Sequence, residues 1–143
     1  MNPPNSEQFH YQAPDFDELM KLFTNTKNWQ EKYRHLMLLG KKIPSLDEEY
    51  RVETAQVDGC ESAAWLYHQH IDGKHYFLAD SETRIVKGLI AILLAYFHGK
   101  AEGDLPQLTI EDTFDTMGLS QQLSPSRTNG LQRIAQQMKL QFV

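Results

Sequence analysis

Residues 85–97, read IVKGLIAILLAYF, are apolar on nearly every side, and only Lys87 interrupts the run. A helix with no polar face must be enclosed by other elements or by lipid. This run is too short to span a bilayer. It therefore predicts a central buried helix around which the rest of the chain is arranged. Gly88 sits inside it at a cost of roughly 1 kcal/mol of helix propensity. A close backbone approach by another element would account for that glycine.

The segments before and after supply the enclosure. Asp15 caps a predicted helix whose apolar residues Phe16, Leu19, Met20 and Phe23 share a face. Asn28 caps a second, with Glu31 three residues on as in a capping box, and with Trp29, Tyr33, Leu36 and Met37 as its buried stripe. Gly40 and Pro44 mark its end. Ser45 and Glu48 suggest one further helical turn. After residue 97, Thr109 opens a short helix containing Phe114 and Met117. Ser124-Pro125 opens the last one, with Leu131, Ile134 and Met138 inward.

The middle of the chain changes period. Residues 51–57 read as a strand, and Asp58-Gly59 marks a turn. Residues 63–71 and 74–80 flank Asp72-Gly73, a strong hairpin signal. The fold class is thus α+β, a small antiparallel sheet of about three strands flanked by N-terminal and C-terminal helices. Residues 1–143 form one domain, in which residues 1–14, with three prolines and little periodicity, are a loosely ordered extension.

The net charge of -5 lacks the basic balance a nucleic-acid or anionic-lipid binder needs. With no signal-like segment, a soluble cytoplasmic protein is expected, without nucleic acid or membrane as a partner. The single cysteine, Cys60, cannot form an internal disulfide or, alone, ligate a zinc or iron–sulfur centre. It is either an inert packed thiol or a single reactive one.

A free cysteine is more often packing than chemistry. Cys60, however, stands between Asp58-Gly59 and Glu61-Ser62, in a predicted loop rather than inside an apolar element. Loops present reactive groups to partners. Asp58 and Glu61 disfavour the thiolate, so a cation from this chain, with Arg127 a candidate, or from a partner would have to compensate. No histidine falls in a cysteine-protease signature, and no GxSxG, Walker A or GxGxxG segment occurs. His68, His70 and His75 share one hairpin face and could in principle hold zinc. With no further ligand placed beside them, a solvated His-rich outer face is the favoured reading.

Three ordered blocks carry a family resemblance. Val57-Asp58-Gly59-Cys60-Glu61-Ser62, followed by Trp65, resembles the active-cysteine loop of the SufE/CsdE family. Asp80-Ser81-Glu82 with Ile85-Val86-Lys87-Gly88-Leu89 is similar to the start of its central helix. Leu123-Ser124-Pro125-Ser126-Arg127 with Gly130-Leu131 is similar to the start of its final helix. The resemblance runs from about residue 15 to residue 139 and leans towards the CsdE branch. It implies an α+β fold similar to that of iron–sulfur scaffold proteins. It also implies a sulfur acceptor for a PLP-dependent cysteine desulfurase. The acceptor's loop cysteine, here Cys60, takes the terminal sulfur of the desulfurase persulfide and passes it to a cluster scaffold or another downstream acceptor. Such a protein needs no cofactor or metal of its own and is a sulfur-transfer accessory rather than a free-standing enzyme. Two other readings stand beside it: a binding or scaffold module in which Cys60 only packs, and a His-rich metal-binding domain.

Overall fold

The computed structural model describes residues 3–59 and 62–142. Helices α1 (Phe16–Asn25) and α2 (Trp29–Gly40) come first. A hairpin of β1 (Ala64–Ile71) and β2 (Lys74–Ser81) follows. Helices α3 (Arg84–Phe97), α4 (Ile110–Thr116) and α5 (Pro125–Leu140) complete the chain. Asp15, Asn28, Thr109 and Ser124 each accept a hydrogen bond from the backbone N–H three residues on, so each expected cap is made.

Every residue of α3 from Gly88 to Phe97 is buried. Helix α3 packs against α2, β2, α5 and α1, which is the enclosure its sequence demands. Its tightest contact is with α2. A Cβ built on Gly88 would lie 2.7 Å from the Leu36 carbonyl carbon, and one on Gly40 would lie 3.2 Å from the Gly88 amide nitrogen. The two backbones touch here, and the close approach expected at Gly88 is present. Gly88→Ala is therefore expected to destabilise the protein by about 1–3 kcal/mol despite alanine's better helix propensity. Denaturant midpoints measure this, and an unchanged midpoint would mean that the helices separate freely. The buried residues of α2 are Leu36, Leu39 and Gly40, whereas Tyr33, expected inside, is 41% exposed. The stripe is rotated because α2 approaches α3 backbone-first, at its small residue, rather than through its aromatic ring.

The sheet has two strands among the described residues, not about three. Residues 51–57 do not lie along β1. Glu53–Ala55 forms a 3-10 turn, and only Gln56 bridges Trp65. The reason lies in the side chains. Arg51 turns inward to the Asp80 carboxylate, and Tyr67 donates its hydroxyl hydrogen bond to the Tyr50 carbonyl at 2.8 Å. These contacts hold residues 50 and 51 away from the edge of β1, which only the end of the segment, Gln56 and Val57, reaches. At the hairpin tip, Asp72 and Gly73 both have positive φ (51° and 80°), as a two-residue turn of this hand requires.

Both sheet faces are covered. One face, with Ala64, Phe77 and Ala79, joins the main helical core. The other, with Trp65 and Leu78, packs against Leu46 and Phe9. Phe9 is 1% exposed and lies in a 3-10 turn, Ser6–Phe9, within the segment expected to be loose. From residue 3 on, that segment is an arm packed on the fold. Tyr11 donates its hydroxyl to the Phe77 carbonyl at 2.6 Å and stacks on His98.

His98 locks the arm in place. Its Nδ1 accepts from the Phe77 N–H and its Nε2 meets the Tyr11 carbonyl, both at 3.0 Å, which is the pattern of a neutral ring. Burial holds His98 down from 6.5 to about 4. The unfolded chain thus takes up a proton near pH 6.5 that the folded chain refuses until about 4. The stability is fully present above pH 6.5 and is lost as pH falls toward about 4. Melting temperatures are expected to fall across this window, less steeply for His98→Gln. Equal slopes for the two proteins would contradict it.

Candidate functional site

The conspicuous feature around the cysteine-bearing segment is how firmly its two ends are tied. On the upstream side, the Val57 N–H donates to the Ala64 carbonyl at 2.9 Å. On the downstream side, Ala63 is clasped by Ser81 and Glu82. The Ser81 hydroxyl and the Glu82 N–H donate to the Ala63 carbonyl at 2.8 and 3.2 Å, and the Ala63 N–H donates to Glu82 Oε1 at 3.1 Å. Val57 and Ala63, which flank the cysteine-bearing segment in sequence, are thus held at fixed points.

Asp80 holds the clasp. It is fully buried. Its Oδ2 accepts from the Leu46 N–H at 2.8 Å and from the Arg51 guanidinium at 2.9 Å. Its Oδ1 accepts from the Ser81 N–H at 2.8 Å and faces the Lys87 ammonium at 3.5 Å. Two cations and two amides satisfy one buried carboxylate, as a buried charge requires. The Arg51 guanidinium also sits 5.0 Å above the Trp65 ring. The Asp80-Ser81-Glu82 block is therefore the anchor of the 58–62 segment.

Asp58 and Gly59 are exposed, and Ser62 is half-buried. Gly59 has φ +87°, and a Cβ there would lie 3.1 Å from Cγ and Nε of Arg133. The backbone passes under the Arg133 side chain in a conformation that favours glycine. Beyond the segment, Ser62, Val86, Ser126, Arg127, Leu131 and Ile134 line a hollow of about 260 Å³. Another hollow of about 260 Å³ touches Val57, Asp58, His68, Gln137 and Gln141. Helix α5 thus brings two exposed cations, Arg127 and Arg133, to the segment. Among the described residues neither forms an ion pair. They can stabilise an anion held nearby.

Cys60 and Glu61 lie outside the described residues. Arg127, the cation singled out from the sequence, lines the hollow beside Ser62. Arg133 was not singled out. Its only signal was a basic residue on the final helix, and which side of that helix meets the segment is set by tertiary packing.

His70 is exposed as expected, whereas His68 is half-buried and His75 buried. His70 pairs with His75 across the hairpin as read, but the face they occupy also carries Phe77 and Ala79 and turns toward the helices. His75 is 8% exposed, with the Phe142 ring 4.3 Å away. His68 Nε2 meets His75 Nδ1 at 2.8 Å, and the His70 and His75 rings stack at 4.3 Å. Burial, then the neighbouring His75 and His70, lower His68 to about 4. The imidazoles satisfy one another, and no group of three or more His, Cys, Asp or Glu able to hold a metal exists among the described residues. No described helix is long and apolar enough to cross a membrane.

Residues 17–142 match the family model described as SufE, an Fe-S metabolism associated domain. The sulfur acceptor protein CsdE of Escherichia coli (strain K12) is 39% identical over 121 residues, covering 84% of this chain and 82% of that protein. The solution structure of a hypothetical protein from Thermus thermophilus superposes with a TM-score of 0.69 at 17% identity, covering 92% of this chain and 96% of that one. That last likeness is one of fold.

Proposed function

The chain belongs to the SufE family, and from that premise we propose that it is a sulfur acceptor and carrier for a PLP-dependent cysteine desulfurase, with Cys60 as the accepting residue. The Cys60 thiolate attacks the terminal sulfur of the desulfurase's cysteine persulfide. The donor's sulfur–sulfur bond breaks, the donor cysteine leaves as a thiolate, and Cys60 becomes the persulfide. This is the elementary step of thiol–disulfide exchange and consumes no oxidant. A recipient thiol or cluster scaffold then takes the sulfur in the same way. The carbon–sulfur cleavage is the partner's chemistry, so this chain contributes a thiol and a docking surface. The helix–hairpin–helix order suits a fold akin to that of iron–sulfur scaffold proteins.

The observation that carries this reading is the anchored stem. Val57 and Ala63 are tied to the sheet, and the five positions between them contain the only cysteine of the chain. A stem of this kind presents a residue without straining the core. Arg133 and Arg127 supply the positive potential that favours a thiolate or persulfide anion.

The test is direct. The protein is incubated with L-cysteine and purified cysteine desulfurases, and its intact mass is measured without reductant. Gain of one sulfur atom, mapped to Cys60 by peptide sequencing, is the expected result. A sulfur found elsewhere, or none with any desulfurase, would overturn the assignment.

A further inference from the structure

Between helices α4 and α5 lies an apolar groove of about 170 Å³, with Ile110, Phe114, Leu123, Leu131 and Ala135 among its walls. That volume is below the range for a drug-sized ligand and suits a single inserted side chain. The groove runs on past Ile110, Gln132 and Ala135 into a wider hollow of about 430 Å³ reaching Lys139. At its other end it shares Leu131 with the hollow beside Ser62. The groove and the hollow beside Ser62 are thus neighbours on helix α5, meeting at Leu131. The groove's rim on α4 carries Glu111 and Asp115, one helical turn apart and exposed. Neither forms an ion pair among the described residues.

We propose that this groove docks the desulfurase, receiving an apolar anchor side chain flanked by lysine or arginine that faces Glu111 and Asp115. The proposal rests on the sulfur-acceptor reading above. Charge complementarity is the argument for the occupant: two unpaired carboxylates border an apolar slot in a chain of net charge -5. An anchored apolar side chain would supply affinity, and the rim charges would supply encounter rate and register. Docking at Leu131 would bring the donor alongside Ser62, two positions along the chain from the accepting Cys60.

The experiment uses the full chain and the desulfurase that charges Cys60 in the loading assay. Two variants are compared with the original protein: Glu111→Lys with Asp115→Lys, and Gln132→Trp, which fills the groove from an exposed position. Binding is titrated at low and high salt. Melting curves and the alkylation rate of free Cys60 verify that the fold and the segment are unchanged. Each variant is expected to raise Kd about tenfold or more, and the charge reversal is also expected to abolish most of the salt dependence. Unchanged Kd and salt slope, with sulfur loading intact, would overturn the docking site while leaving the acceptor function standing. Normal loading but slower onward transfer would assign the groove to the recipient and overturn the donor as its occupant. Failure of the original protein to load sulfur from any desulfurase would instead overturn the function itself.

Discussion

Cys60→Ser is expected to reduce sulfur uptake to background while shifting the melting temperature by no more than about 2 °C. The two halves of this outcome have separate causes. A serine hydroxyl is not a thiolate, and no other cysteine exists to take over. The small stability effect follows from the flanks: Asp58 and Gly59 are exposed, and the bonds that hold the segment are made by Val57 and Ala63. Intact-mass loading beside a thermal melt gives both readouts from one preparation. Undiminished sulfur uptake by the serine variant would sink the mechanism. A large drop in melting temperature would mean that Cys60 packs as a core residue.

Asp80→Ala is expected to cost about 3–5 kcal/mol, the largest single loss of stability among the changes considered. Alanine would leave the Arg51 guanidinium, the Lys87 ammonium and the Leu46 and Ser81 amides without their common acceptor. Each group must then be rehydrated or remain unsatisfied. Asp80→Asn keeps one oxygen acceptor but no charge, so it should fall between alanine and aspartate. Denaturant midpoints with an unchanged slope would measure these differences as stability alone. A cost for alanine below about 1 kcal/mol would show that water replaces the carboxylate and that the clasp is not structural. The same variant should also slow sulfur loading of the remaining folded protein, because Ser81 and Glu82 would no longer fix Ala63.

Helices were legible where polar punctuation and apolar period coincided. Asp15, Asn28, Thr109 and Ser124 each announce a cap from their own side chain, and the apolar run around Ile90 leaves no solvent face to choose. Gly88 was legible for a related reason, since an unfavourable residue in a helix interior implies a contact that needs it. The failures came where distant side chains decide. Residues 51–57 have the composition of a strand, but Arg51 is drawn to a carboxylate that lies 29 positions away in the chain. The histidine face looked like a wet surface because Phe142 and the helices that cover it are remote in sequence. The N-terminal arm has too few apolar residues to show a period, and Phe9 and Tyr11 are held by partners far along the chain, Phe77 and His98 for Tyr11. Of the candidate site, the segment and Arg127 could be picked out by pattern, whereas Arg133 depended on how α5 docks.

The arm also bears on how the protein behaves in bulk. The family match begins at residue 17, so Phe9 and Tyr11, which join Leu46 in covering Trp65 and Leu78, lie outside it. If the arm peeled away, the hairpin would present a sticky aromatic and aliphatic sheet face while the helical core behind it stayed folded. Such a molecule would retain its circular dichroism yet clump as concentration rose. Acid favours that peeling, since a proton on His98 would remove the acceptor for the Phe77 N–H and leave a cation beneath the stacked Tyr11 ring. Light scattering at pH 5 against pH 7.5, with spectroscopy unchanged, would report the exposed face. Colloidal shelf life would then be governed by a single buried imidazole rather than by the melting point.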